Sequence, residues 1–300
     1  MITTEQKAVQ PKVTQPVVST QRILNIISTI LRYVLMIAIG LIMFTPFIMA
    51  MIGTFKTDLE ITAFPPKFFP EVWHTENWTR VWNTDLGQGG TFPRWLFNTA
   101  FLAVTVSVSQ VIFGSMAAYA FARLKFAGQE IVFAFMLATM MIPGAVTLIP
   151  AYVLMTKLGL INTFWSLILP GLVGAGSIFT LTQFFKSIPK DLEEAAVIDG
   201  ATHMQIFRIV ILPLARPAIL TVLILQFQGM WNAFLQPLLY LNSPDKYVLN
   251  VALSIFQQQF SAQWNLTLVG AMFNAIPVII LFFIFSRYYI EGVAYTGIKG

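Results

Sequence analysis

Several stretches of this chain run for roughly 20 residues with almost no ionisable side chain. At 1.5 Å per residue that is the length an α-helix needs to cross the hydrocarbon of a bilayer. We place such spans at Tyr33–Met51, Trp95–Ala120, Ile131–Leu148 with an apolar continuation to Met155, Phe164–Phe184, Ala218–Leu235 and Leu268–Phe285. Hydrophobic residues make up 57% of the 300 and charged residues 10%, too little charge to cover a soluble domain. The expected fold class is all-α, a polytopic membrane protein with six transmembrane helices.

The net charge of +5 would suggest nucleic acid in a soluble protein. Here the cations sit beside apolar runs and read as topology determinants, so no nucleic-acid partner is expected; the partner is the bilayer. With six spans both ends share one side. That side carries Lys7, Lys12, Arg22, Arg32, Arg123, Lys125, Lys186, Lys190, Arg208, Arg216, Arg287 and Lys299, twelve of the 18 Lys and Arg. The positive-inside rule makes it the cytoplasm. The chain then divides into a cytoplasmic segment 1–32, a transmembrane domain 33–290 with a cytoplasmic loop at 186–216, and a cytoplasmic tail 291–300.

The longest outside segment, Gly53–Arg94, contains Pro65, Pro66, Pro70, Trp73, Trp78 and Trp82. It reads as irregular chain with short helices pinned by aromatic rings. Asn77-Trp78-Thr79 and Asn265-Leu266-Thr267 match the glycosylation pattern, which at three residues is expected by chance. Prolines at Pro143, Pro150, Pro170, Pro237 and Pro277 interrupt or flank the spans, as in helices that line a pathway.

No cysteine is present, and His74 and His203 lie far apart, so no thiolate chemistry and no metal centre is expected. No catalytic residue is expected either. The spans carry no ionisable residue to couple an ion gradient, and no Gly-x-x-x-x-Gly-Lys-Ser/Thr segment occurs. An ion-coupled secondary transporter, a membrane-embedded enzyme and an ATPase are thereby disfavoured.

The most informative loop reads Ser187-Ile188-Pro189-Lys190-Asp191-Leu192-Glu193-Glu194-Ala195-Ala196-Val197-Ile198-Asp199-Gly200-Ala201. Pro189 suits a first turn, and three carboxylates follow at the positive end of the helix. Gly200 can end it in a left-handed conformation. Thr202 and Gln205 have capping-box spacing for a second short helix through Phe207 toward Leu212, before Pro213 and Pro217 turn into the next span. On local physics alone this is a solvated connector or a docking element, the alanines allowing close approach and Phe207 offering an apolar anchor.

This loop resembles the signature of importer-type ATP-binding-cassette permeases: Glu194-Ala195-Ala196, three residues, Gly200, then Leu212-Pro213 after the expected gap. The segments Ser115–Phe126, Leu158–Thr163 and Trp231-Asn232-Ala233-Phe234 extend the likeness across most of the chain, to the carbohydrate branch and its maltose-transporter group. Ala233, where many relatives have aspartate, and Tyr295 and Thr296 in the tail depart from the pattern. The resemblance implies a type I importer permease fold. It also implies a second permease, two ATP-binding cassette subunits that hold ATP and Mg, a solute-binding protein, and a bacterial or archaeal inner membrane. No cofactor would be bound by this chain. Glu194, Ala195, Ala196, Asp199, Gly200, Ala201, Phe207 and Pro213 would form the ATPase-coupling element, with Glu194 as contact, Gly200 as hinge and Phe207 as anchor. The solute would be a sugar, an oligosaccharide or another polar molecule.

Gln228, Asn232 and Gln236 recur every four residues, which stacks them on one side of a single helix. Neutral amides suit hydroxyl-rich solutes, and Phe227 and Trp231 beside them could pack on a sugar ring. The competing reading is that the amides bond to a partner permease.

Overall fold

The computed structural model describes residues 20–259 and 263–297. Residues 1–19 and 298–300, which include Lys7, Lys12 and the closing Lys299-Gly300, lie outside the described residues. The helices in chain order are α1 (Thr20–Gly53), α2 (Asp58–Thr62), α3 (Glu76–Trp82), α4 (Phe92–Arg123), α5 (Gln129–Met140), α6 (Gly144–Lys157), α7 (Trp165–Gly171), α8 (Ala175–Ser187), α9 (Asp191–Ile198), α10 (His203–Gln205), α11 (Leu212–Leu214), α12 (Arg216–Trp231), α13 (Leu235–Tyr240), α14 (Leu249–Gln259) and α15 (Trp264–Gly297). A π-helical turn, Ile206–Ile211, joins α10 to α11. Among the described residues four helices are long and apolar enough to cross a membrane, or six if two bent pairs each count as one span. The fold is an all-α polytopic membrane fold.

Residues 1–50 form one unit and 51–300 the other. In the first, the described part of α1 is apolar around its whole circumference and exposed, the surface expected of a helix in lipid. In the second, α4 is the central helix and packs against α8 and α12, with α15 against α12. Buried Ala118, Leu181, Phe185, Ile211 and Val222 fill one end of this bundle; Phe92, Trp95, Leu253, Phe256 and Val269 fill the other.

The third expected span is not one straight helix. It divides into α5 and α6, which meet at 101° across Met141–Pro143. Pro143 has no N–H to continue the ladder and disfavours a helical conformation at Ile142. Pro150 is accommodated inside α6. The fourth span also breaks, between α7 and α8. There Gly174 lies so close to Gln110 that a Cβ on it would sit 2.5 Å from Gln110 Oε1. That oxygen accepts a hydrogen bond from Ser177 Oγ at 2.6 Å, so a buried amide of α4 is satisfied where the glycine admits it.

The segment between α1 and α4 is irregular, with the short helices α2 and α3, and aromatic rings fasten it. Trp78 and Trp82 pack on Phe273 of α15 at 5.1 and 5.5 Å between centroids. Asn77 Nδ2 donates to the carbonyls of Thr54 and Lys56, and its Oδ1 accepts from Asn265 Nδ2 at 3.3 Å. The two asparagines of the glycosylation matches are therefore buried and bonded to each other, 3% and 7% exposed.

Candidate functional site

The loop after α8 folds as two short helices around a left-handed glycine. α9 begins with Asp191, Glu193 and Glu194 in its first turn and ends where Gly200 adopts φ = +82°. Both halves of the capping box form at Thr202: its hydroxyl accepts from Gln205 N–H, and Gln205 Oε1 accepts from Thr202 N–H at 2.7 Å. The chain then widens. Leu212 N–H donates to the Phe207 carbonyl, a five-residue step, and Pro213 follows without an N–H. At Ala215 the path bends by 77° into α12.

Glu194, Ala195, Asp199 and Gly200 are exposed on this element, Ala196 and Ala201 are half-buried, and Pro213 is exposed. Phe207 is not available as an outward anchor. It is 7% exposed and packs on Tyr119 of α4 at 5.1 Å between ring centroids, so its apolar area holds the second short helix to the bundle. The most exposed of the element's large apolar side chains is Ile198, at 85%, with Val197 beside it; Leu192, Met204 and Ile209 are exposed as well. In the sequence Ile198 is only one of the three residues between Ala196 and Gly200, and nothing in that spacing marks it as exposed. The available signal was a bulky apolar residue directly before the Asp199-Gly200 stop.

Sequence reasoning also missed what holds α9 in place. Arg123, the last residue of α4, forms an ion pair with Glu193 whose side chains are 5% and 14% exposed. Arg123 Nη2 also donates to the Ile188 carbonyl at 2.6 Å. One guanidinium thus fixes both the entry to α9 and its first turn, a fork geometry that lysine lacks.

The amide stripe is rearranged. α12 ends at Trp231, and Asn232 caps it by donating from Nδ2 to the Gln228 carbonyl at 3.0 Å. Gln236 belongs to α13, so the three amides do not stack on one helix. The four-residue spacing crosses Asn232–Phe234, where the helix has stopped. Asn232 and Gln236 are exposed, and Gln228 is half-buried at the edge of a mostly apolar cavity of about 200 Å³ with Val104, Ser107 and Phe227. Trp231 is 3% exposed and stacked on Phe227 at 5.5 Å.

Trp231 takes part in a closed ring of hydrogen bonds that the sequence reading did not find. Its indole N–H donates to the Asn274 carbonyl at 3.2 Å, Asn274 Nδ2 donates to Asn250 Oδ1 at 3.1 Å, and Asn250 Nδ2 donates to the Trp231 carbonyl at 3.2 Å. The ring joins α12, α14 and α15 at the point where α12 ends. A second junction is built on Asn162, at φ = 61°. Its Oδ1 accepts from the N–H groups of Asn242 and Ser243, and its carbonyl accepts from Lys246 Nζ at 2.9 Å.

The chain resembles known membrane transport proteins over nearly its whole length. It is 32% identical over 278 residues to an arabinooligosaccharides transport system permease protein of Halalkalibacterium halodurans, covering 91% of this chain and 98% of that one. It is 30% identical to a diacetylchitobiose uptake system permease protein of Streptomyces coelicolor, covering 86% and 84%. A bacterial ABC transporter involved in the import of the acidic polysaccharide alginate contains a chain that superimposes with a TM-score of 0.73 at 25% identity, covering 92% of this chain and all of that one. Residues 110–293 match the family model of binding-protein-dependent transport system inner membrane components, and this chain is a member of that family.

Proposed function

We propose that this chain is one of two permease subunits of an ATP-driven importer for a sugar or oligosaccharide. Both its termini would be cytoplasmic, and two ATP-binding cassette subunits would dock on the α9–α10 element. The observation that carries the reading is that element: an exposed face of Glu194, Ala195 and Ile198 beside a left-handed Gly200, tied through Glu193 to the end of α4. A push on α9 would reach the central helix through a buried, directional contact, not through flexible chain. ATP-driven closure of the partner subunits would then shift the bundle between inward- and outward-facing states by differential contacts in the two. A binding protein would deliver the solute to the outside-facing state. ATP and Mg would stay on the partner subunits.

The carbohydrate assignment rests on relatives whose names specify arabinooligosaccharides and diacetylchitobiose. Gln228, Asn232 and Gln236 are proposed as polar contacts along the pathway where α12 gives way to α13, with Trp231 positioning that corner. The test is the reconstituted transporter carrying Ile198→Asp. Solute-stimulated ATP hydrolysis should fall at least tenfold while the chain still inserts. Full stimulation in that variant would remove the docking assignment.

A further inference from the structure

The ends of α4, α5 and α8 line a polar pocket of about 310 Å³, of whose residues the coupling argument uses Arg123 alone. Its cations are Arg123, Lys125, Lys186 and Lys190, and its one carboxylate is Glu130. Arg123 is committed to Glu193. Lys125, Lys186 and Lys190 have no carboxylate partner among the described residues, and Lys186 instead sits 5.4 Å from the centre of the Phe133 ring. Three exposed lysines, one just after α4 and two at and just past the end of α8, repel one another, and only one carboxylate of the pocket opposes them. Phe121 and Phe133, whose rings are 5.2 Å apart, also line the pocket, as does Gln129, whose Nε2 donates to the Phe121 carbonyl at 2.8 Å.

We propose that this pocket binds a phosphate group, carried by an anionic phospholipid of the adjoining leaflet or free in solution. Lysine ammonium groups bind phosphate as point charges from several directions, and basic pockets between membrane helices accept lipid headgroups. The two aromatic rings in the lining suit the lipid source, since a headgroup held by the lysines could lay its glycerol and first methylenes on Phe121 and Phe133. Lys190 directly precedes α9, so the anion would bridge α5 and α8 to the coupling element. The location at the cytoplasmic leaflet rests on the orientation proposed above.

The whole transporter is purified and placed in nanodiscs of phosphatidylcholine with and without phosphatidylglycerol, and retained lipid is counted by native mass spectrometry. Phosphatidylglycerol should be retained by the wild type and at least tenfold less by the triple variant K125Q/K186Q/K190Q. The Lys→Arg counterpart, which keeps the charges, should restore retention. In phosphatidylcholine discs inorganic phosphate is titrated while amine labelling of Lys186 and Lys190 is followed. Protection there without phosphatidylglycerol retention assigns the site to the free anion. Equal retention by wild type and triple variant, with no phosphate protection, overturns the proposal. If the triple variant fails to assemble, the single variants K125Q and K186Q decide in the same way. Both leaflets of a nanodisc have one composition, so the result does not depend on which face of the bilayer the pocket occupies.

Discussion

Arg123 closes the central helix α4 and pairs with Glu193 in the first turn of α9, both side chains almost wholly removed from solvent. Breaking a buried ion pair by removing one partner strands the other and costs about 3–5 kcal/mol, whereas removing both is far milder. Arg123→Met should therefore loosen α9 and reduce solute-stimulated ATP hydrolysis by at least tenfold, and Arg123→Met with Glu193→Met should recover part of it. Arg123→Lys keeps the charge but cannot reach both Glu193 and the Ile188 carbonyl in the same way, so it should fall between. Reconstituted ATPase and uptake assays on the four proteins check this order.

Gly200 has open space around its absent Cβ but a φ of +82°. The cost of replacing it is thus backbone strain alone, about 1–3 kcal/mol for a β-branched residue. Gly200→Val should uncouple hydrolysis from uptake while the chain remains membrane-inserted. Gly200→Asn, which tolerates left-handed geometry, should behave nearly as wild type. Equal damage from both would show that contact at this position matters, and not its conformation.

The Trp231–Asn274–Asn250 ring closes the corner between α12, α14 and α15. Interhelical hydrogen bonds in membranes contribute about 0.6–2 kcal/mol each. Asn250→Leu removes two of the three and should lower the thermal unfolding midpoint of the purified complex. Asn232→Leu removes one exposed capping bond within α12 and none between helices, so it should lower that midpoint far less and change transport rate or solute preference instead. Thermal unfolding measured alongside uptake separates the structural amides from the pathway amides.

Orientation is open to a direct measurement because the chain has no native cysteine. Thr79, on the short helix α3, and Ala127, in the turn between α4 and α5, are exposed in segments expected on opposite sides of the membrane. In intact cells a membrane-impermeant thiol reagent should label Thr79→Cys and spare Ala127→Cys until the cells are lysed. The reverse pattern would invert the topology.

The segment between α1 and α4 should respond to acid through Glu60. Its carboxylate accepts from Glu71 N–H at 2.8 Å and from Thr57 N–H at 2.9 Å, and these backbone donors hold its pKa below the usual carboxylate value. A lowered folded-state pKa means the contribution is present above the ordinary carboxylate pKa and lost as pH falls through the lowered one. Protease protection of the Lys56–Glu71 stretch should be constant near neutrality and fall on strong acidification. Glu60→Gln should be less protected at neutral pH and lose most of that dependence.

Much of this protein was determined by local sequence. Apolar length and sparse charge specify membrane helices because hydrocarbon tolerates almost nothing else, and the Glu194–Gly200 block with the Thr202 capping box specifies two short helices because each signal acts within one turn. Tertiary structure decided the rest. Whether Ile131–Met155 stays straight depends on Pro143 and on what α5 and α6 pack against, and hydropathy reads both halves alike. Gln228, Asn232 and Gln236 keep a helical spacing that the chain abandons at Asn232. Phe207 and Ile198 are both bulky apolar residues of one loop, yet one is buried on Tyr119 and the other exposed. Arg123 was counted as a topology charge, and its role came from being brought beside Glu193. A residue's type and spacing constrain its local conformation. Which face it shows and which partner it meets are set by contacts between segments far apart in the chain.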